Sequence, residues 1–371
     1  MTLNVDKCKQ MVIMLHECSG IGWHTVQKAV AHKAWESLEG TNEADWLAIG
    51  FGRAQAETAA KRWSEPFDWS QAPYIRAQEL GAAVLTPYDE EYPDDLRRIP
   101  QPPWVLYALG RLELLKRPSI AMVGTRNPSA YGRHTALSLS EQLSQQGLTV
   151  VSGLARGIDS KAHEAALRGE GSTIAVLASP VDHCYPAENR SLYQQIIREG
   201  LILSESPVGS PLHPGMFPLR NRIIAGVSLG TIVVEAAKGS GSLITADQAL
   251  EMGRDVFAIP GPVSSPKSEG PNSLIREGAK LVSSVSHILE EYSWLHEKLA
   301  ALTEPKLSIA RAANLSAEEQ RIIDLLRDRP LTINELHQLT MIPFGHLSAL
   351  LINLCIKRKI EQQPGAVYIA L

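Results

Sequence analysis

The sequence predicts an α/β core built on a parallel sheet, flanked by an N-terminal helical segment and a C-terminal winged helix. Three observations carry this. Between residues 118 and 290, the apolar runs "SIAMVGT", "LTVVSG", "STIAVLAS", "LILSE", "GTIVVE" and "DVFAIPG" end in small or polar residues, and each is followed by a segment of helical length. Such alternation builds a parallel sheet with helices on both faces. Residues 1–70 carry a weak repeat, and residues 312–371 read as helices followed by a hairpin.

Composition sets the outer limits. The chain has 371 residues, 44% hydrophobic and 20% charged, which suits two or three globular domains. The absence of a run of about 18 apolar residues argues against a membrane span, and "MTLNVDKCKQ" lacks a signal-peptide pattern. Cys8, Cys18, Cys184 and Cys355 are scattered without a C-x-x-C pair, so neither a zinc site nor a disulfide framework is expected, and a reducing cytoplasm is the simplest compartment. The net charge of -4 means that any polyanion must be bound by local clustering of cations.

Residues 1–70 are expected to be helical. Gly20-Ile21-Gly22 and Gly50-Phe51-Gly52 each separate two amphipathic stretches, an arrangement similar to a tandem helix-hairpin-helix (SAM-like) unit. Glycines at such a hairpin bring backbone N–H groups close to a phosphate. A small bundle with glycine turns is the alternative. Residues 71–298 form the core, entered through a Pro- and aromatic-rich connector in which "AAVLT" and "WVLYALG" read as strands and Asp89 to Asp95 as a solvated surface. After a polar linker, capping boxes at Ser316 and Thr332 start two helices, and Pro343 opens a third through "HLSALLINLCIKR". "KIEQQPGAVYIAL" then folds back at Pro364-Gly365, completing a winged-helix outline.

In an open parallel sheet, ligands bind beyond the carboxyl ends of the strands, and five loops there draw attention. "VGTRNPSAYG" offers Gly124, Thr125 and Arg126. It lacks G-x-G-x-x-G, and no acidic residue ends "LTVVSG", so NAD or FAD is not expected. "SGLARGIDSKAHEAAL" offers Ser152 and Gly153 as backbone donors and Arg156 in a flexible bend, while Asp159, Lys161 and His163 read as a cap and helix-surface residues. "VDHCYPAENRSLY" places Asn189 and Arg190 at a helix start. "FPLRNRII" places Phe217, Arg220, Asn221 and Arg222 at the mouth of an apolar helix, with no acidic residue between Glu205 and Glu235 to neutralise the arginines. "KGSGSLITADQAL" offers Lys238, Ser240, Gly241 and Ser242 at an anion-receptive helix N-terminus. A row of cations with helix starts, lacking a nucleophile–base pair or a metal triad, suits several phosphates along a chain. Phe217 adds a face on which a base can stack. For any single arginine, a bridge to Asp159, Glu205 or Glu235 is the competing reading.

The motifs "VGTRNPSAYG", "SGLARGIDSKAHEAAL", "FPLRNRIIAG", "GSGSLITADQAL" and "GRDVFAIPG" closely resemble the DNA-processing protein A family, also called DprA or Smf, over roughly residues 80–290. The resemblance implies a Rossmann-like core that binds and protects single-stranded DNA and delivers it to the RecA recombinase in natural transformation. It further implies a homodimer, no cofactor and no enzymatic activity. Carried over by position, it favours Arg126, Ser152, Gly153, Phe217, Arg220 and Arg222. Some members have a lysine in the loop after "CYP", where this chain has Glu188 and Arg190.

Two alternatives compete. "LGTIVVEAAKGSGSL" also looks like the G-G-x-G-T-x-x-E element of lysine-decarboxylase-like phosphoribohydrolases, in which Glu235 would assist glycosidic cleavage of a nucleoside monophosphate. But "GVSLGT" replaces the expected P-G-G, and F-P-L-R-N-R has no role there, so Glu235 is expected to pair with an arginine and organise loops. In the winged helix, the stretch from Pro343 to Ile356 has no Lys or Arg, which favours protein contact over reading of duplex bases. Phe344, Leu347, Leu350 and Leu351 are expected in its core, with His346 and Asn353 exposed.

Overall fold

The computed structural model describes residues 2–36, 42–64, 72–295, 317–356, 359–363 and 367–370. The chain divides into two compact units, residues 1–299 and 300–371.

The first unit opens with helices α1 (Thr2–Glu17), α2 (Trp23–Ala31), α3 (Glu43–Ala48) and α4 (Arg53–Ser64). Gly20 and Gly50 take positive φ, +80° and +89°, which lets each chain reverse tightly between two helices. The hairpins tie to each other reciprocally. Lys28 Nζ donates to Gly50 O at 2.6 Å, and Gln55 Nε2 donates to Gly20 O at 3.0 Å. Gln55 Oε1 also accepts the Gly52 N–H at 3.1 Å, so that donor is already used within the bundle.

These helices pack on the core rather than apart from it. Trp23 stacks on Trp104 with centroids 5.6 Å apart, each indole N–H donating to a backbone carbonyl of the other segment. The Tyr107 hydroxyl donates to Glu17 at 3.0 Å, and His16 Nε2 lies 2.8 Å from Glu205 O. One apolar cluster runs from Met11, Leu15 and Trp46 through Trp104 and Tyr107 to Ala175 and Ile202 in the sheet.

After α5 (Pro73–Glu79), β1 (Ala83–Leu85), α6 (Asp94–Arg97) and β2 (Leu106–Gly110), the core alternates strand and helix. Its elements are β3 (Ser119–Val123), α7 (Ala130–Gln145), β4 (Thr149–Ser152), α8 (Ile158–Ala166), β5 (Thr173–Leu177), α9 (Arg190–Glu199), β6 (Leu201–Ser204) and α10 (Met216–Val227). There follow β7 (Gly230–Val233), α11 (Gly241–Glu251), β8 (Asp255–Ala258), α12 (Glu269–Arg276), β9 (Lys280–Leu281) and α13 (Ser286–Leu289). The expected apolar runs are all strands, and those in the middle of the sheet are buried along their whole length, as strands covered on both faces must be.

Among the described residues the sheet has nine strands in the order β1-β2-β6-β5-β4-β3-β7-β8-β9. The pairs from β6 to β9 are parallel, whereas β1 and β2 extend the edge antiparallel. The chain lays β3 to β6 outward in one direction, returns, and lays β7 beside β3 with Val123 opposite Val233. That reversal opens a crevice at the carboxyl ends of β3 and β7, the place where such sheets receive ligands. The short strand β9 had no sequence expectation.

In the second unit, α14 (Ala317–Asp328), β10 (Leu331–Thr332), α15 (Ile333–Thr340) and α16 (Phe344–Ile356) precede β11 (Ile360–Gln363) and β12 (Val367–Ala370), with sheet order β10-β12-β11. This is the winged-helix arrangement. The capping box at Thr332 and Glu335 is present on both sides. The expected box at Ser316, the Pro364-Gly365 turn and the cations Lys357 and Arg358 lie outside the described residues. Leu347, Leu350 and Leu351 are buried, but Phe344 is 45% exposed. It lies in the first turn, where the apolar stripe has not yet met the core, and its ring rests 4.2 Å from that of His337.

Candidate nucleic-acid interface

The crevice between β3 and β7 holds a cavity of about 470 Å³. The exit of β3 supplies Gly124, Thr125 and Arg126, α10 supplies Phe217, Pro218, Arg220 and Asn221, and the start of α11 supplies Ser240, Gly241, Ser242 and Ile244. Gly124 is required here by close approach: a Cβ on it would lie 2.6 Å from Ile158 and 3.0 Å from Glu235 O.

The polar side of the cavity presents donors and partial positive charge. The first turn of α11 leaves the Gly241 and Ser242 N–H groups without helical acceptors. Ser240, its N-cap, has its hydroxyl 2.9 Å from that of Ser242. The helix has eleven residues, so its dipole adds partial positive charge at this end. Arg126 is exposed and has no ion-pair partner among the described residues. Its guanidinium carbon lies 5.9 Å from the centre of the Phe217 ring. Phe217 in turn meets Tyr185, with centroids 5.7 Å apart and planes tilted by 58°.

Two arginines behave differently from the sequence expectation. Arg220 is 8% exposed. Its Nη1 donates to Gly153 O at 2.8 Å and to Val176 O, and its Nε to Asn221 Oδ1 at 3.2 Å. Arg222 is 7% exposed, and its Nη2 donates to both carboxylate oxygens of Glu205, at 2.7 and 2.8 Å. Both therefore fasten α10 to the sheet, and neither presents a free guanidinium. Positions 220 and 222 point to different sides of the helix, and the fold buries both sides: Arg220 meets carbonyls of the loop after β4 and of β5 itself, and Arg222 meets the carboxylate just after β6. Arg220 still lines the cavity floor and lends it charge. Burial lowers its pKa to about 10, against the opposing pull of Asp159, and it remains a cation at neutral pH.

The expected Gly153 donor is also spent internally, and Ser152 is buried at the end of β4. The Ser152 hydroxyl donates to Met122 O at 2.6 Å, and the Gly153 and Ala155 N–H groups donate to Asp159 at 3.2 and 3.4 Å. Asp159 thus folds back onto its own loop instead of capping α8, whose N-cap is Gly157. Burial raises the Asp159 pKa, with Arg220 and the backbone donors opposing. His163 is buried rather than on the helix surface. Its Nε2 accepts the Leu154 N–H at 3.2 Å, which leaves the proton on Nδ1, 2.6 Å from the Thr173 hydroxyl oxygen. Burial, then the charge of Arg220, pushes His163 down to about 3, so it is neutral. It holds Leu154 at a φ of +54°, a left-handed conformation that a leucine seldom adopts.

The remaining predicted residues stand outside the cavity lining. Arg156 is exposed and paired with Glu188 at 2.7 Å. Asn189 Nδ2 donates to Leu154 O at 2.8 Å and serves the loop. Arg190 lines a separate cavity of about 500 Å³ beside α9. Lys238 is exposed in the loop before α11. Among the described residues Glu235 pairs with no arginine; its carboxylate accepts the Ser129 N–H at 2.8 Å and hydroxyl at 2.5 Å, tying β7 to the start of α7. Sequence reasoning missed Tyr185, because it joins Phe217 across 32 positions and belongs to no periodic pattern.

Among the described residues no group of His, Cys, Asp and Glu is placed to hold a metal, and no helix is long and apolar enough to cross a membrane.

Comparison with known proteins gives a consistent picture. Residues 83–293 match the family described as DNA recombination-mediator protein A, and residues 307–366 match the DprA winged helix domain. Protein Smf of Synechocystis is 34% identical over 394 residues, covering 95% of this chain and 96% of that one. DNA processing protein DprA of Bacillus subtilis is 44% identical over 229 residues, covering 62% and 76%. The X-ray structure of DprA from Streptococcus pneumoniae superposes with a TM-score of 0.66 at 38% identity, covering 75% of this chain and 95% of that one. A DprA structure from Helicobacter pylori, described for its single-stranded DNA binding mode, gives a TM-score of 0.51 at 30% identity, covering 60% and 95%.

Proposed function

The chain belongs to the DNA recombination-mediator protein A family, and from that premise we propose that it binds single-stranded DNA in the crevice between β3 and β7 and passes it to a RecA-type recombinase. The observation that carries the DNA-binding reading is the mouth of the crevice. There exposed Arg126 lies against Phe217, above the first turn of α11. A phosphate suits the N–H groups, hydroxyls and dipole of that turn, and a base suits the Phe217 ring. Arg126 supplies a mobile cation at the rim, while Arg220 supplies a fixed one in the floor. An unpaired strand fits this arrangement, since only splayed bases can reach a ring at the edge of a pocket.

Support for the recombinase comes from the family's description as a recombination mediator. A cytoplasmic homodimer that protects incoming strands during transformation completes the reading, as its resemblance to the family implies. Glu235 favours binding over glycosidic cleavage: its carboxylate is committed to Ser129 and does not line the crevice.

Titration of labelled oligothymidine against a duplex of equal length, at two salt concentrations, tests the reading. The expected result is tighter binding of the single strand, with a logarithmic salt slope of about −0.7 per phosphate contacted. Equal or tighter binding of the duplex would overturn it.

A further inference from the structure

We propose that Tyr185 is a second base-stacking platform, so that two successive bases of one strand are held at the crevice mouth; this rests on the single-strand reading above. Tyr185 is 46% exposed, and its hydroxyl has no hydrogen bond among the described residues. The loop that carries it is held at several points. Ser179 Oγ donates to His183 O at 2.6 Å, the Tyr193 hydroxyl donates to Val181 O, and Asn189 donates to Leu154 O at 2.8 Å. The ring is thus presented to solvent by a fixed frame, at no further ordering cost when a ligand arrives.

Its placement identifies the ligand. Arg126 and Tyr185 both neighbour Phe217, at 5.9 and 5.7 Å. The 58° tilt between the two rings means that they share no stacking axis, so a base lying flat on one does not cover the other. Each ring is a separate platform for a planar π-surface, and π-faces at such a spacing along a phosphate-binding pocket suit neighbouring nucleotides. The opposing explanation is that Tyr185 merely props Phe217 in place.

Photo-crosslinking separates the two. An oligothymidine carrying a single 5-iodouracil, moved through successive positions and irradiated with the native chain, is expected to attach to Phe217 at one position and to Tyr185 at an adjacent one, read by peptide mass spectrometry. In parallel, Tyr185→Ala is expected to weaken binding about 5- to 150-fold, the span of one stacked base, with no change in salt slope. Tyr185→Trp is expected to bind at least as tightly as the native chain. Crosslinks at Phe217 with none at Tyr185 from any position, or undiminished binding by Tyr185→Ala, overturn the second platform. Arg126→Ala serves as the control for the underlying reading. Its loss of binding beside an unaffected Tyr185→Ala defeats the platform alone, while no binding of oligothymidine by the native chain defeats both.

Discussion

Arg222 and Glu205 form a buried ion pair in which one guanidinium nitrogen serves both carboxylate oxygens, at 2.7 and 2.8 Å. The backbone carbonyl of the same Glu205 lies 2.8 Å from His16 on α1. A single residue after β6 thereby joins the helix that shapes the crevice to the N-terminal helices.

Arg222 should accordingly behave as a stability residue. Arg222→Ala is expected to cost about 3 kcal/mol, the low end for removing one partner of a buried pair, because Glu205 keeps some water contact. Denaturant unfolding should show the midpoint fall, while the affinity for oligothymidine, measured where the variant remains folded, should change little. A large loss of affinity without loss of stability would return Arg222 to the binding surface.

Arg126 should behave in the opposite way. Exposed and without an ion pair among the described residues, it contributes little to the fold, so Arg126→Ala is expected to leave the unfolding midpoint in place. Binding should weaken about tenfold, the size of one charge-assisted hydrogen bond. The salt slope should become shallower by about 0.7, one phosphate contact. Anisotropy titrations at several salt concentrations read both quantities.

Phe217→Ala should weaken binding by about 1–3 kcal/mol through lost base stacking. Because no phosphate is released by the change, the salt slope should match that of the native chain. A slope that moved would mean that Phe217 acts by placing Arg126.

The His163 site predicts a pH dependence. Its folded pKa, about 3, lies below the ordinary histidine value of 6.5. Between these values the unfolded chain binds a proton that the folded chain does not, so stability falls as pH drops from 6.5 toward 3 and then levels. Asp159 works in the other direction, since a raised carboxyl pKa lets the folded chain hold the extra proton over part of the same acidic range. The His163 contribution taken alone is a loss of stability toward acid. His163→Gln, which keeps an acceptor for the Leu154 N–H, should flatten it in thermal melts taken across that range.

Much of this molecule was legible from its sequence. Fully buried strands announce themselves as apolar runs, so β3 to β8 could be read directly, and Gly20 and Gly50 marked the two hairpins. The loops of the site could also be named, since they follow from the ends of parallel strands. What failed was the direction of individual side chains. Arg220 and Arg222 looked uncompensated because their partners, the carbonyls of Gly153 and Val176 and the carboxylate of Glu205, lie in β5 and just after β4 and β6, distant in sequence. Asp159 read as a helix cap and His163 as a helix-surface residue because nothing in their spacing reveals that both turn toward the loop before α8. Tyr185 had no pattern at all; only the tertiary fold brings it to Phe217.

The stacking of Trp23 on Trp104 has a practical consequence for anyone dissecting the chain. A fragment begun at residue 72 would carry Trp104 and Tyr107 with their aromatic cover stripped away, and would leave the carbonyl of Glu205 without its histidine. Such a truncation invites clumping and a loosened α10, and poor DNA capture by it would say nothing about whether the missing helices touch DNA themselves.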